Sequence, residues 1–372
     1  HLPTRRQRQM CIRDSDISIL TGLQSVRILS KKYDVIALYW SKNNEWYLVD
    51  NEYESVDFLS NKKIYKNKLE MKFNDDPGFY QKRKKLHFDV LINACHGGPG
   101  EDGSLQSLLN IFRIKYTGPD QISAQICMDK YAFYTVMKEN GLPVLEKKLV
   151  NTEEMNIDGN YVLKPRFGGS SIGVELINDA PTVQKLITNS DLYSQGAVIE
   201  KYLENSIDLL IGVRSFPDFD VSEIEKPLKN ETLFSYTDKY LENGGLEGSK
   251  RELPANLNGQ IEKKLIEMVN KINQIIPTRG IYRYDFLLHE NALYINEINA
   301  IPGSHALYLW KNLNSSKFEL LDSMIDEALS RQVDNWSLTG SDGIALKSAK
   351  DIASKLGSVS YTHLRAHETK KH

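Results

Sequence analysis

Arg283, Asp285, Glu297 and Asn299 lie in "IYRYDFLLHENALYINEINA", whose apolar halves flank Asn291 and read as a β-hairpin. With the turn centred on Asn291, antiparallel pairing sets Asp285 opposite Glu297 and Arg283 opposite Asn299. Residues two apart share a face, so all four side chains converge. Facing carboxylates repel unless a cation lies between them. Asp285, Glu297 and Asn299 offer only oxygen donors, the set Mg²⁺ prefers, particularly when substrate phosphates complete its shell. The alternative is a surface hairpin whose acids are neutralised by Arg283 alone.

"KPRFGGSSIGV", Lys164 to Val174, is a glycine- and serine-rich loop after a short strand. Such a loop can lay backbone N–H groups and hydroxyls against phosphates while Lys164 supplies a point charge. The order that defines a Walker A loop is absent, which disfavours a P-loop NTPase. In "VIEKYLENSIDLL" an apolar strand runs into Glu200, Lys201, Tyr202 and Leu203, with Asp208 shortly after. Alone this reads as a strand end with a solvated turn. Beside a phosphate loop and a magnesium cluster it becomes an adenosine edge, with backbone groups reading adenine and an acid reaching ribose hydroxyls.

"HGGPGEDG", His96 to Gly103, follows the buried-strand pattern "FDVLINAC" and contains G-x-G-x-x-G, formally a dinucleotide-binding turn. Glu101 and Asp102 argue against that, because their carboxylates compete for the anion site at a helix N-terminus.

The elements that must position these residues alternate in type. "ILTGLQSVRILSKK" has helical spacing, "YDVIALYW" and "EWYLVD" read as strands, and "FDVLINAC" and "IKYTG" bracket a helix in a βαβ unit with a parallel sheet. "SAQICMDKYAFYTVMKENGLPV" carries one apolar helical stripe that stops at Gly141-Leu142-Pro143. "GAVIEKYL", "DLLIGVRSF" and "EIEKPL" read as strands, a Gly-rich loop spans Thr237 to Glu252, and "QIEKKLIEMVNKINQII" is a helix. The 372 residues suffice for two or three domains. With 47 Lys+Arg against 49 Asp+Glu, the net charge of −2 gives no reason to expect nucleic acid or an anionic membrane as partner. Cys11, Cys95 and Cys127 have neither disulfide-framework nor metal-ligand spacing, which suits a reducing cytoplasm. No apolar stretch approaches membrane-spanning length. "HLPTRRQRQMCIRDS" and "SYTHLRAHETKKH" are charged, lack core periodicity and resemble adaptor sequence, so both are set aside.

In order, "HGGPGEDGSLQSLLN", "YTGPDQISAQICMDK", "KPRFGGSSIGV", "EKYLEN", "YTDKY", "RYDFLL" and "NEINAIPGS" resemble the D-alanine–D-alanine ligases of the ATP-grasp superfamily, over roughly residues 16 to 335. The resemblance implies an α/β N-terminal parallel-sheet domain followed by a two-domain, α+β ATP-grasp part. The expected boundaries are 16–118 for the substrate domain, 119–212 and 213–335 for the two ATP-grasp subdomains, and 336–358 for an extension, with flanks at 1–15 and 359–372. It also implies ATP, Mg²⁺ as two ions with Mn²⁺ as a substitute, small-molecule amino-acid substrates and a homodimer. By position, Lys130 and Lys164 would bind phosphates, Glu200 the adenine amino group, Lys201 and Leu203 the adenine edge, and Asp208 the ribose. Asp285, Glu297 and Asn299 match the magnesium ligands. His96 would lie near the first substrate, Ser170 and Tyr240 would hold a closing loop that also carries Lys239, and Arg283 with the Gly303 N–H would form the oxyanion site. ATP would phosphorylate one D-alanine, and the second amino acid's amine would attack the acyl phosphate.

Two departures stand out. The expectation is that the chain begins after the family's first strand and its glutamate-bearing turn, with Asp14 near the aligned place. At "GSHALYLW", Ala306 and Leu307 stand where many relatives put Ser-Leu to grip the second carboxylate, leaving Ser304 or His305 as substitutes. A related D-amino-acid, D-hydroxy-acid or dipeptide ligase, a degenerate nucleotide-binding protein and a dinucleotide-dependent oxidoreductase are the alternatives.

Overall fold

The computed structural model describes residues 7–13, 15–60, 62–150, 157–169, 171–228, 250–311, 316–332 and 343–348. They fall in two units, His1–Gln332 and Val333–His372. In the second unit the short helix Ile344–Ser348 is described.

The first unit opens with β1 (Gln7–Arg13), α1 (Asp16–Leu29), β2 (Asp34–Trp40), β3 (Trp46–Val49), α2 (Asp57–Ser60), β4 (Lys68–Lys72), β5 (Gly78–Gln81), β6 (Lys84–Lys85), β7 (Val90–Asn93) and α3 (Ser104–Ile111). Its sheet runs β6-β5-β4-β3-β2-β1-β7. Pairing is parallel where β1 meets β2 and β7, and antiparallel from β2 outward. The expected parallel sheet is therefore mixed. A short turn returns the chain antiparallel from β2 to β3, whereas α1 supplies the crossover that parallel pairing of β1 and β2 requires. "IKYTG" adds a parallel bridge between Tyr116 and Leu91.

A first strand is present at Gln7–Arg13, within the stretch expected to be a flank and where the family's first strand was expected to be missing. Gln7–Arg13 fills the place between β2 and β7, and Met10 is fully buried. A strand with a ladder on both edges is held by backbone groups whatever its side chains, so charged composition hid it.

The next elements are α4 (Gln121–Met128), α5 (Lys130–Glu139), β8 (Lys147–Leu149), β9 (Tyr161–Pro165), β10 (Glu175–Ile177), α6 (Ala180–Asn189) and β11 (Ala197–Lys201). The strands form an antiparallel sheet in the order β10-β9-β11-β8. The single helix expected before Gly141 is two helices. Asp129, at φ −82° and ψ 101°, leaves the helical region and caps α5 by accepting from the N–H groups of Tyr131 and Ala132.

The last sheet, β14-β13-β12-β15-β16, comprises β12 (Ile207–Arg214), β13 (Asp220–Pro227), β14 (Arg251–Glu252), β15 (Ile281–His289) and β16 (Ala292–Asn299). The step between sheets falls between Lys201 and Ile207, upstream of residue 212. Helix α7 (Gly259–Ile275) buries Leu265, Met268, Val269 and Ile272, an i, i+3, i+4, i+7 stripe, in the cluster that holds Tyr284 and Phe286 of β15. Helix α8 (Lys317–Ser330) starts with a capping box between Ser316 and Glu319.

Candidate functional site: a charged cleft beside a neutral relay

The β15–β16 hairpin has the expected pairs, Arg283 with Asn299 and Asp285 with Glu297. It reaches them by another route. The turn is Glu290-Asn291, both at positive φ, and it pairs His289 with Ala292. That register alone would set Asp285 against Asn296. A bulge between Asp285 and Phe286 on the ladder shifts the pairing by one residue and brings Glu297 across. Arg283 donates to both Asp285 oxygens at 2.7 Å, and the Asn299 amide donates to Asp285 at 3.1 Å and to Glu297 at 3.4 Å. Arg283 thus neutralises Asp285 as the alternative reading had it, but Asp285 is buried and the hairpin face is no open surface.

Among the described residues no three His, Cys, Asp or Glu side chains cluster as a metal site. The donor set that fits Mg²⁺ is two carboxylates and one amide, all oxygen ligands, with coordination left for phosphates and water.

Strands β8, β9 and β11 build the second part. Glu200 on β11 pairs across with Lys147 on β8, while Lys164 on β9 sits diagonally, two residues from Glu200's partner Val162. Both ammonium groups bond the Glu200 carboxylate, one to each oxygen. Lys164 also reaches the Asn296 amide oxygen at 3.4 Å. Burial pushes the Glu200 carboxyl up, but the two lysines outweigh it and hold it at about 2. Lys130, the first residue of α5, donates to the Gly168 carbonyl at 2.6 Å, tying the Gly/Ser loop to the helix start. Arg166 anchors the same loop by a two-pronged bond to Asp129 at 2.9 and 2.6 Å. Burial draws the Lys130 ammonium down, opposed by the Glu297 charge, so Glu297 is felt on the lysine side of the cleft too.

The third part surrounds "HGGPGEDG". His96 Nε2 lies 2.9 Å from the Thr21 hydroxyl, which accepts from the Ser304 N–H at 2.9 Å. The His96 N–H donates to Ser18. Burial, with His305 nearby, pushes the His96 imidazole down to about 3, and burial pushes His305 down to about 4, so both are neutral near pH 7. Ser304, His305 and Ala306 form a left-handed turn with φ near +50°, after Gly303.

Glu101 is used inside the fold rather than against a ligand. Its carboxylate accepts from the Gly97 N–H at 2.9 Å and the Ile301 N–H at 3.1 Å, joining the glycine loop to the segment after β16. Burial raises its carboxyl to about 7 against the pull of those two donors. Asp102 accepts from the Ser104 N–H at the start of α3. The anion site of a dinucleotide turn is thus filled by the protein's own carboxylates, which removes that reading. Gly100 is required by packing, since an added Cβ would lie 2.3 Å from the Cys95 Cβ.

Lys130, Lys164, Glu200, Arg283, Asp285, Glu297, Asn299, His96 and Gly303 therefore fall in three adjoining sets. Asp208 lies on β12, opposite Leu287, and Lys201 and Leu203 end β11 and begin the turn after it. Asp14, Ser170, Lys239 and Tyr240 lie outside the described residues. Lys147, Ser18 and Thr21 were not singled out, and Glu101 was read only as unfavourable to an anion. A signal existed at α1, where the N-cap Ser15 is followed at intervals of three residues by Ser18 and Thr21 on the helix. Lys147 had none, because its partner Glu200 is 53 residues away.

The D-ala D-ala ligase N-terminus family matches residues 13–119 and the D-ala D-ala ligase C-terminus family residues 124–326. The D-alanine–D-alanine ligase of Thermosipho melanesiensis is 30% identical over 339 residues, covering 86% of this chain and 91% of that protein. That of Nitratiruptor is 32% identical over 305 residues, covering 80% and 86%. Among solved structures, the D-alanine–D-alanine ligase of Helicobacter pylori superposes with a TM-score of 0.71 at 24% identity, covering 89% of this chain and 100% of that one. The VanG D-Ala:D-Ser ligase of Enterococcus faecalis gives 0.73 at 21%, covering 87% and 100%. With an oxygen-donor hairpin, a lysine-lined small sheet and a glycine loop on this fold, the chain belongs to the D-alanine–D-alanine ligase family of ATP-grasp enzymes.

Proposed function

We propose that this chain joins two D-alanines, using ATP and Mg²⁺, through an acyl-phosphate intermediate. The observation that carries the reading is the setting of Glu297. It faces Asp285 across the hairpin, shares the Asn299 amide with it, and acts electrostatically on Lys130, Lys147 and Lys164 across the cleft. Phosphoryl transfer needs positioned positive charge more than covalent help. Lys130 and Lys164 supply it on the phosphate side, and Arg283 on the side of the developing oxyanion. Asp285, Glu297 and Asn299 would hold magnesium, as two ions replaceable by Mn²⁺, which neutralises phosphate charge when bound. Glu200 would accept from the adenine amino group, Lys201 and Leu203 line the base edge, and Asp208 reaches the ribose.

The carboxylate of the first D-alanine attacks the γ-phosphorus, breaking the bond to the β,γ-bridging oxygen and releasing ADP. The amine of the second D-alanine attacks the acyl carbon, the oxyanion is met by Arg283 and the Gly303 N–H, and phosphate leaves. His96 is neutral and tethered to Thr21, so it orients substrate through hydrogen bonding rather than charge. Ser170, Lys239 and Tyr240 would close over the site and exclude water from the acyl phosphate.

We further propose a cytoplasmic homodimer serving peptidoglycan synthesis, built from a substrate domain followed by two ATP-grasp subdomains. No described helix is long and apolar enough to cross a membrane. A second reading, with another D-amino or D-hydroxy acid as acceptor, is favoured by the left-handed Ser304–His305–Ala306 turn, where Ala306 offers no hydroxyl. Phosphate release from ATP, with D-alanine alone and with D-alanine paired against D-serine, D-lactate and L-amino acids, tests both. Release and D-alanyl-D-alanine formation with D-alanine alone supports the first. Release only with a second acid supports the other, and no amino-acid-dependent release removes both.

A further inference from the structure

Lys147 enters none of the roles above, yet it is among the most deeply buried charges in the molecule, with 1% of its side chain exposed against 3% for Glu200 and 13% for Lys164. Three buried charges meet there, two positive and one negative. A carboxylate stripped of its partner in such a place is heavily penalised, so the number of cations around Glu200 matters. One lysine would suffice to neutralise it.

The two lysines are not equivalent. Lys164 lies on the phosphate-loop strand, is the more exposed of the pair and has a second acceptor in Asn296. Lys147 lies directly across the ladder from Glu200. If Lys164 turns to nucleotide phosphates, one Glu200 oxygen loses its donor and the other keeps Lys147.

We propose that Lys147 is a positioning residue for nucleobase selection: it holds one Glu200 oxygen from within the sheet, so that the oxygen released by Lys164 is presented as an acceptor to the exocyclic amine of adenine. This rests on the reading of Glu200 as the base-facing acid. A fixed, ionised acceptor binds a 6-amino purine and rejects a 6-oxo purine, whose carbonyl would face it lone pair to lone pair. Without Lys147, Glu200 keeps only Lys164. That lysine then cannot serve carboxylate and phosphate together, and the acceptor is neither free nor oriented.

The test is calorimetric binding of Mg-ADP and Mg-IDP to the full chain, with no turnover involved. The native protein is expected to prefer ADP by roughly 10- to 100-fold, the range a single unmatched buried hydrogen bond produces. Lys147→Met should weaken ADP binding about tenfold and bring the preference to within about threefold. Lys147→Arg, which keeps the charge, should retain the preference, and Lys147→Gln should lose it. That pair reads the same quantity should the methionine variant not fold. A Lys147→Met protein of lowered melting temperature but native ADP/IDP ratio overturns the proposal, leaving Lys147 a structural ion pair. Glu200→Gln separates the two levels. If it collapses the ratio while Lys147→Met and Lys147→Gln do not, the inference about Lys147 fails alone. If it leaves the ratio intact, Glu200 is not the base reader, and both readings fall.

Discussion

The two sides of the cleft bury polar groups in opposite states. Around Glu200 the side chains are ionised and paired, two ammonium groups against one carboxylate. Around His96 an imidazole pushed down to about 3, a second pushed down to about 4 and the hydroxyls of Ser18 and Thr21 are neutral near pH 7, and the Glu101 carboxyl beside them, raised to about 7, is only partly ionised there. On the proposed function, the difference follows from what each side would meet. Phosphates bring charge and reward fixed cations. An amino acid brings an ammonium and a carboxylate together, and a neutral relay orients it without competing for either. The hairpin stands between them, and Arg283 is felt by both His96 and Glu101.

The largest expected effect breaks the charged side. Glu297→Gln removes one ligand charge, keeps the shape, and should lower turnover at limiting magnesium on the order of a hundredfold, with partial recovery at high magnesium. Circular dichroism should show a native fold. Unchanged turnover at limiting magnesium would count against the metal role of the hairpin.

A smaller effect is expected at the strut between the regions. Glu101→Gln keeps the volume but turns one acceptor oxygen into an NH₂ group facing an N–H, at Gly97 or at Ile301. The glycine loop and the segment leading to Gly303 should come apart, with stability falling by about 1–3 kcal/mol and kcat falling more than KM rises. The pH dependence has a definite sign. A folded carboxyl raised above its ordinary value holds an extra proton between roughly pH 4.5 and 7, so its contribution declines as pH rises through that window. Glu101→Gln should abolish that slope in denaturant titrations, and a slope retained in the variant assigns it to another group.

Smaller again is the relay itself. Thr21→Val removes the hydroxyl that lies between His96 Nε2 and the Ser304 N–H and should raise KM for amino acid severalfold while leaving ADP affinity unchanged. An equal loss for ADP would mean that the two sides are not independent.

How much of this was legible depended on whether a residue's neighbours are near in sequence. The hairpin pairs could be read because both strands and their turn lie within one stretch, although two errors cancelled: the turn centres half a residue earlier than expected and the bulge restores the register. Glu101 was read only as unfavourable to an anion, since its acceptor role depends on Ile301, 200 residues away. Lys147 was not singled out, because the residue it pairs with, Glu200 on β11, lies 53 residues downstream. Strand β1 was dismissed for its charges, whereas its place is fixed by ladders with β2 and β7 that composition does not report.

The finest test concerns whether the neutral side is held neutral by burial. His305 is 1% exposed, its Nε2 has no hydrogen-bond partner among the described residues, and its backbone is left-handed at φ +48°. Asparagine tolerates that conformation better than most residues, so His305→Asn removes the titration with little backbone strain. A folded imidazole held at about 4 stays uncharged where the unfolded chain takes up a proton, so the native protein loses stability as pH falls from about 6.5 towards 4. Each pH unit inside that window is worth about 1.4 kcal/mol at most. Glu101 acts in the opposite direction over part of the same range and His96 in the same direction, so the informative quantity is the difference in slope between the native protein and the variant. Melting temperatures from pH 7 to 4.5 should fall less steeply for His305→Asn, whatever constant offset the lost imidazole packing adds. Parallel slopes would mean that His305 takes up its proton in the folded state as readily as in the unfolded chain, and that the His96 side, like the Glu200 side, can carry a buried charge.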